Sequence, residues 1–168
     1  MAPATHSVTL PGAILQRGFW LYVWRVQTPK GVMLYVGRTG DNSSPHATAS
    51  YLRMGQHLGQ VKTQNALRKH LEKRGVDPEQ CASFEFISHG PLYPEVAKTD
   101  GAARAALMAL HLPFRDIVGA MEKALADHLS AAGYTVLNTV KWKPSLDTAL
   151  WTPVRAAFAE FFPLLAET

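Results

Sequence analysis

The stretch WLYVWRVQTPKGVMLYVG, residues 20–37, constrains the fold more than any other part of the sequence. It contains two apolar-Tyr-Val units, centred on Tyr22 and Tyr35, which are separated by the turn-forming segment QTPKG. Aromatic and β-branched residues suit a pleated, half-buried surface, and Pro and Gly favour a tight connection. The segment therefore predicts a β-hairpin with strands at about 19–27 and 31–38. Packing across the strand pair is enough to explain two tyrosines, so the hairpin alone indicates no function.

The chain has the length of one ordinary globular domain. It has 168 residues, and 47% of them are hydrophobic, which is sufficient for a buried core. Cys81 is the single cysteine, so the chain can form neither an intrachain disulfide nor a cysteine-based zinc site. Pro11 and Arg17 interrupt the mildly apolar N-terminal run, so we expect no signal peptide or membrane span. These features predict a soluble, cytoplasmic protein without a membrane partner.

Positive charge is concentrated in the first half of the chain. The formal net charge is +4, and residues 1–90 carry ten Lys and Arg against five Asp and Glu. Residues 91–168 carry seven against eight. A basic half is compatible with a polyanionic partner such as nucleic acid, but ordinary soluble domains also show a surplus of this size.

The remaining sequence predicts a single α+β unit, with a small central antiparallel or mixed sheet of about three to four strands flanked by helices. SFEFIS at 83–88 alternates as a strand should, and the following HGPLYP indicates a loop. The other predicted elements are helices at about 48–58 and 62–74, an Ala-rich helix at about 95–111 distorted by Gly101, a helix that Pro113 opens and Gly133 ends, a short strand YTVLN, and a last helix that Pro153 starts and Pro163 interrupts.

Glu122 occupies an unusual position on the predicted helix at 114–132. Its neighbours at helical spacing are Val118, Leu125 and Leu129, so its side chain falls at the edge of the apolar face. A carboxylate among aliphatic side chains is costly unless it is hydrogen-bonded, paired or bound to a metal. Glu122 is therefore expected to have a partner: metal binding is the functional interpretation, and a boundary glutamate that reaches solvent or pairs with an arginine is the structural one.

Arg53 and His57 are spaced four residues apart on the predicted helix at 48–58, so they project from one face. A guanidinium gains little from a neutral imidazole and repels a protonated one. The pair suits an anionic ligand, because the guanidinium can bind phosphate oxygens while the imidazole exchanges a proton. Two independently solvated side chains are the alternative interpretation.

Taken in order, these motifs resemble the GIY-YIG nuclease superfamily. Trp20-Leu21-Tyr22 is similar to the first triplet and Tyr35-Val36-Gly37 to the second, while LRMGQHL, AMEKAL and VLN carry the arginine-histidine pair, the glutamate and the asparagine, Asn138. The resemblance implies a GIY-YIG-like catalytic domain at 18–140, an N-terminal extension at 1–17, and a C-terminal helical extension at 141–168 packed on the same domain.

The resemblance also implies a chemistry. Tyr22 and Tyr35 would place phenol oxygens beside the scissile phosphate, and Arg53 would hold its non-bridging oxygens. Glu122 would carry one Mg²⁺ or Mn²⁺, which suits a cation that keeps waters and uses few carboxylates. Because Asp116 and Asp127 point away from Glu122 on its helix, a single-metal mechanism without a small-molecule cofactor is expected. His57 would assist proton transfer or bind phosphate, and Asn138 would hold local geometry by hydrogen bonding.

The expected function is therefore metal-dependent endonucleolytic cleavage of DNA, with either single- or double-stranded substrate. Arg68 is an alternative to Arg53 as the catalytic arginine, because the loop after Gly37 is long. Trp20 stands where the family has a glycine, and it leaves open a nucleic-acid-binding module that does not cleave; a plain structural domain is a third interpretation. The residues expected to contact nucleic acid are Gly37, Arg38, Thr39, Lys62, Arg68, Lys69, Lys73 and Arg74.

Overall fold

The predicted hairpin forms in the computed structural model, which describes residues 3–166. Strands β1 (Gly18–Thr28) and β2 (Gly31–Arg38) pair in an antiparallel ladder. In this register Tyr22 lies opposite Gly37, and Tyr35 lies opposite Trp24. Because opposed residues share one face of a sheet, both tyrosines project from the same face as diagonal neighbours.

Strand β3 (Ser83–Pro94) pairs antiparallel with β1, so the sheet order is β2-β1-β3. This α+β fold, a three-stranded antiparallel sheet flanked by helices, agrees with the predicted fold class. The prediction that HGPLYP forms a loop is wrong, because the strand continues through it to Pro94. A register shift between Phe19 and Leu21 lets β1 stay paired with this second half of β3, and Leu92 and Tyr93 then pack on the core.

Within residues 3–166, four α-helices cover the two faces of the sheet. Helices α1 (Tyr51–Leu58) and α2 (Ala66–Lys73) lie on the tyrosine face, where Leu67 and Leu71 are buried in one hydrophobic cluster with Tyr22. Both are shorter than predicted. Ala49 pairs with Arg17 as an isolated bridge, and hydrogen bonds from Gln64 and Asn65 to the Val61 carbonyl form a turn before α2.

Helix α3 (Arg104–Ala131) runs without interruption through Pro113, so the prediction of two separate helices is wrong. Proline removes one helical hydrogen bond, the one to the carbonyl of Ala109. Ala109 is exposed, so water can satisfy that carbonyl, and Phe114 directly after Pro113 packs on the core. Residues 95–103, expected to begin a helix, form none.

Helix α4 (Thr148–Ala159) begins five residues before Pro153, where it was predicted to start. Asp147 is its N-cap and accepts hydrogen bonds from the backbone N–H groups of Ala149 and Leu150, at 2.9 and 3.2 Å. Trp151 and Phe158 of α4 are buried in the same cluster as the sheet and α3. Of the predicted terminal extensions, residues 1–2 and 167–168 lie outside the described residues. No helix within residues 3–166 combines the length and apolarity needed to span a membrane.

The predicted strand YTVLN is reduced to one parallel bridge between Val136 and Leu34. Leu34 N–H donates to the Thr135 carbonyl at 2.8 Å, and Leu137 N–H donates to the Leu34 carbonyl at 2.7 Å. The side-chain amide of Asn138 then takes the place of a further backbone pair on β2: its Oδ1 accepts from Val36 N–H at 3.0 Å and its Nδ2 donates to Val36 O at 2.8 Å.

Candidate active site

A cavity of about 250 Å³ opens between the hairpin, α1, the turn before α2 and α3. It collects residues from five segments that are distant in the sequence. Five of the six predicted catalytic residues line it, and Asn138 instead holds the backbone of β2 beside it. The lining residues are Tyr22, Tyr35, Gly37, Arg38, Asp41, Arg53, His57, Thr63, Gln64, Ala66 and Glu122.

Gly37 allows the Tyr22 ring to lie against the backbone of β2. A Cβ atom at residue 37 would sit 2.5 Å from Tyr22 Cε2 and 2.6 Å from its Cζ and hydroxyl oxygen. Side chains do not approach a Cβ so closely, so the glycine of the Tyr-Val-Gly motif is required by its cross-strand neighbour. Tyr22 of the first motif and Gly37 of the second motif are therefore in direct contact.

The Tyr22 hydroxyl is hydrogen-bonded to His57 Nε2 at 2.7 Å. Both side chains are buried, at 2% and 5% exposure. Burial, and then the nearby Tyr35, raise the pKa of Tyr22 well above its usual value. Burial and the neighbouring charge of Arg53 lower the pKa of His57 to about 4. At neutral pH the pair therefore consists of a protonated phenol and an uncharged imidazole, and within residues 3–166 His57 Nδ1 has no hydrogen-bond partner.

Tyr35 is half-buried at the wall of the cavity. Its ring centroid lies 5.0 Å from that of His57 and 5.6 Å from that of His70. Burial and the negative charge of Glu122 raise its pKa, and Arg53 only partly opposes this shift. Tyr35 therefore keeps its proton at neutral pH, and it can hydrogen-bond a water or a phosphate oxygen but does not start as a phenolate.

Glu122 has an arginine partner, one of the alternatives predicted for it. Arg38 Nε donates to Glu122 Oε2 at 2.9 Å, and the two side chains are 10% and 15% exposed. Burial raises the pKa of Glu122, although the charge and hydrogen bond of Arg38 oppose this shift. Among the described residues, no side chain is hydrogen-bonded to the other oxygen, Oε1. Glu122 therefore presents one uncommitted carboxylate oxygen at the cavity.

Arg38 is held on three sides. Besides Glu122, its Nη1 donates to the Gly40 carbonyl at 2.6 Å, and its guanidinium carbon lies 4.6 Å from the centroid of the Trp142 ring. Trp142 can lie there because residue 119 is a glycine, where a Cβ would be 2.3 Å from its Cε2 atom. The side chain of Arg38 is therefore fixed at the rim of the cavity.

Arg53 is paired with Asp41, a residue that sequence reasoning missed. Arg53 Nη2 donates to Asp41 Oδ2 at 3.0 Å and Nη1 donates to Gln56 Oε1 at 3.2 Å. Burial raises the pKa of Asp41, but hydrogen bonds from Ser43 and the charge of Arg53 outweigh it, so the pKa is lowered. Asp41 lies in a loop rich in turn-forming residues, and no periodicity or motif marks it in the sequence.

The residues predicted to contact nucleic acid differ in exposure and in their partners. Lys62, Lys69, Lys73 and Arg74 are exposed, and Gly37 and Arg38 line the cavity. Thr39 is fully buried, and its hydroxyl donates to the Gly18 carbonyl and accepts from the Trp20 N–H. The Arg68 side chain is 13% exposed and donates to the Leu58 carbonyl and to Glu79, so its guanidinium is already paired within the protein.

The donor atoms around the cavity are compatible with a divalent cation that keeps most of its waters. Within residues 3–166 no three His, Cys, Asp or Glu side chains form a cluster able to hold a metal. Glu122 and Asp41 nevertheless supply carboxylate oxygens, the ligands that Mg²⁺ prefers, and Mg²⁺ commonly uses one or two of them. Glu122 is the better placed of the two, because Oε1 is uncommitted.

Comparison of the chain with protein-family models, with curated protein sequences and with solved structures gives no match. The resemblance to GIY-YIG nucleases therefore rests on the motif residues alone.

Proposed function

We propose that the protein is a divalent-metal-dependent endonuclease that hydrolyses phosphodiester bonds in DNA. The observation that carries the proposal is the convergence of Tyr22, Tyr35, Arg53, His57 and Glu122 on one cavity. These residues supply proton-transfer groups, a cation for phosphate oxygens and a carboxylate for a metal, which are the groups that phosphodiester hydrolysis requires. The single free cysteine, Cys81, accords with a reducing cytoplasmic location, which is part of the proposal.

The hydrogen-bonded pair of Tyr22 and His57 is proposed to remove the proton of the attacking water. Tyr22 keeps its own proton at neutral pH, so it would take a proton from water while passing its own to His57 Nε2. His57 is uncharged at neutral pH because its pKa is about 4, so it is able to accept that proton. The hydroxide produced would attack phosphorus as the bond to the 3′ oxygen breaks.

Arg53 is proposed as the donor that stabilises negative charge on the non-bridging oxygens. It lines the cavity beside His57, whereas Arg68 does not line it and is held by Glu79. Glu122 would hold a bound Mg²⁺ or Mn²⁺, which would act as a Lewis acid toward the leaving 3′ oxygen. Asn138 would keep the end of β2, and with it Tyr35 and Gly37, in position.

The exposed cations near α2 are proposed as the DNA-binding surface. Lys62 precedes Thr63 and Gln64, which line the cavity, and Lys69 and Lys73 follow one turn apart on the exposed side of α2. Such side chains suit the phosphate backbone and carry no base specificity. Each phosphate contact should add close to one unit to the salt slope of binding, so affinity should fall steeply as salt is raised.

The Arg38–Glu122 ion pair favours a second candidate function, a nucleic-acid-binding module that does not cleave. In that case the arginine would occupy the position of the metal permanently. One assay separates the two: labelled single- and double-stranded DNA incubated with Mg²⁺, Mn²⁺ or EDTA. Metal-dependent cleavage that is lost in Glu122→Gln and kept in Asp127→Asn would support the nuclease, while a mobility shift without cleavage would refute it.

A further inference from the structure

The cavity holds four charged side chains as two ion pairs, Arg38 with Glu122 and Arg53 with Asp41. We propose that these pairs exchange partners when the site is loaded: Glu122 and Asp41 together bind a divalent cation, and Arg38 and Arg53 are thereby released to bind the phosphate group of the substrate. This inference rests on the proposed function, because it concerns the same cavity. It adds Asp41 as a second cation-binding carboxylate and makes phosphate binding dependent on the cation.

In the cation-free arrangement, Arg53 has a buried hydrogen-bond donor without an acceptor in the described part of the chain. Its guanidinium contacts Asp41 and Gln56, but its Nε is buried and has no hydrogen-bond partner among residues 3–166. A buried donor without an acceptor is unfavourable, and such groups are usually satisfied by a ligand or a water. A phosphate oxygen in the cavity would supply the missing acceptor, and the planar guanidinium is suited to two parallel bonds with phosphate.

The net charge of the cavity also favours an exchange of partners on cation binding. With His57 and both tyrosines uncharged, the two arginines and two carboxylates cancel, so an approaching phosphate diester meets no net positive charge. A divalent cation on the carboxylates would neutralise them and leave two unpaired guanidinium groups. That excess of positive charge matches the charge that accumulates on phosphorus oxygens during hydrolysis.

Asp41 is held in place by α3, which also carries Glu122. His111 is fully buried, and its Nε2 is hydrogen-bonded to the Asp41 carbonyl at 2.8 Å. Arg115 Nη1 donates to the side-chain oxygen of Asn42, the residue next to Asp41. The backbone of the loop at Asp41 is therefore fixed relative to α3 by contacts that do not involve Arg53, and the Ser43 N–H donates to Asp41 Oδ1 at 2.8 Å, so the carboxylate keeps a partner when the ion pair is lost.

Binding of Mn²⁺ alone, measured by loss of the free-ion electron paramagnetic resonance signal, tests the site without any cleavage. We expect Glu122→Gln and Asp41→Asn each to weaken Mn²⁺ binding by at least about 10-fold, because loss of an outer-shell partner alone typically costs about 10- to 100-fold. Asp127→Asn is the matched control, because it removes an exposed carboxylate of α3 that is paired with Lys123, and it should bind Mn²⁺ as the unmodified protein does.

This experiment distinguishes the proposed nuclease function from the proposed partner exchange. Unchanged Mn²⁺ binding in Glu122→Gln would refute the metal site of the proposed function. Unchanged binding in Asp41→Asn, beside its loss in Glu122→Gln, would refute the present inference alone. Tryptophan fluorescence gives a second measurement. If Arg38 leaves Glu122, it moves relative to the Trp142 ring, so Mg²⁺ should change the fluorescence of the unmodified protein, and Trp142→Phe should remove that change. Mn²⁺ binding without that change would also refute the exchange.

Coupling to the phosphate is measured by fluorescence anisotropy with a short labelled oligodeoxynucleotide, in Ca²⁺ or in EDTA at constant ionic strength. We expect Ca²⁺ to tighten DNA binding of the unmodified protein by about 5- to 150-fold. Asp41→Asn should bind the oligonucleotide more tightly in EDTA, because Arg53 is already unpaired, and should respond less to Ca²⁺. Equal affinity in Ca²⁺ and EDTA for the unmodified protein would overturn the inference.

Discussion

Replacement of Gly37 by alanine tests the contact on which the site is built. The added Cβ would lie 2.5 to 2.6 Å from three atoms of the Tyr22 ring and hydroxyl, so one of the two strands or the ring has to shift. Tyr22 is 2% exposed and bonded to His57, so a shift of the ring would disturb that hydrogen bond. Overpacking of this kind costs about 1 to 3 kcal/mol. We expect the free energy of unfolding to fall by that amount, and cleavage to fall with it because the Tyr22–His57 bond is disturbed.

The assay is urea denaturation followed by circular dichroism, with the slope checked for two-state behaviour. Gly55→Ala in α1 is the matched control, since a Cβ there meets nothing within 4 Å. Alanine in a helix interior is more favourable than glycine, so this variant should be stabilised by up to about 1 kcal/mol. In a Tyr22→Leu background, which lacks the three contacted atoms, Gly37→Ala should cost much less. A Gly37→Ala protein within about 0.5 kcal/mol of the parent would refute the reasoning, because that is the range of surface substitutions.

Three further outcomes are expected. Arg53→Ala should raise the activation free energy of single-turnover cleavage at saturating enzyme by about 3 to 4 kcal/mol, as for other charge-stabilising donors. Arg68→Ala should keep that rate but lower the free energy of unfolding, since its contacts to Leu58 and Glu79 are structural. The opposite result for the two variants would show that Arg68, and not Arg53, is the catalytic arginine. As pH falls from 6.5 to 4, the free energy of unfolding should decrease by up to about 3 kcal/mol, because His57 is protonated in the unfolded chain but stays uncharged in the folded protein. Denaturation curves of His57→Gln should show a weaker dependence on pH. Asn138→Ala should cost about 1 to 3 kcal/mol by leaving the Val36 N–H and carbonyl unpaired, and denaturation no different from that of the parent would contradict this.

Local patterns in the sequence were sufficient to predict the hairpin, α1, α2 and the start of β3. Strand alternation, turn-forming residues and helical spacing act over a few residues, so they can be recognised without knowledge of the fold. Helix ends and the second half of β3 were predicted less well. Pro113 and HGPLYP have local preferences against the structures they adopt, and packing on the sheet and α3 outweighs those preferences.

Residue type and spacing single out Arg53, His57 and Glu122 from the sequence, and the resemblance of the motifs adds the two tyrosines. The contacts that each of these side chains makes depend on the fold. Arg38 and Glu122 are separated by 84 positions, and Asn138 and Val36 by 102, so no local pattern connects them. Asp41 became part of the cavity because His111 on α3 holds its loop there, and a loop position set by a distant buried side chain leaves no periodic trace in the sequence.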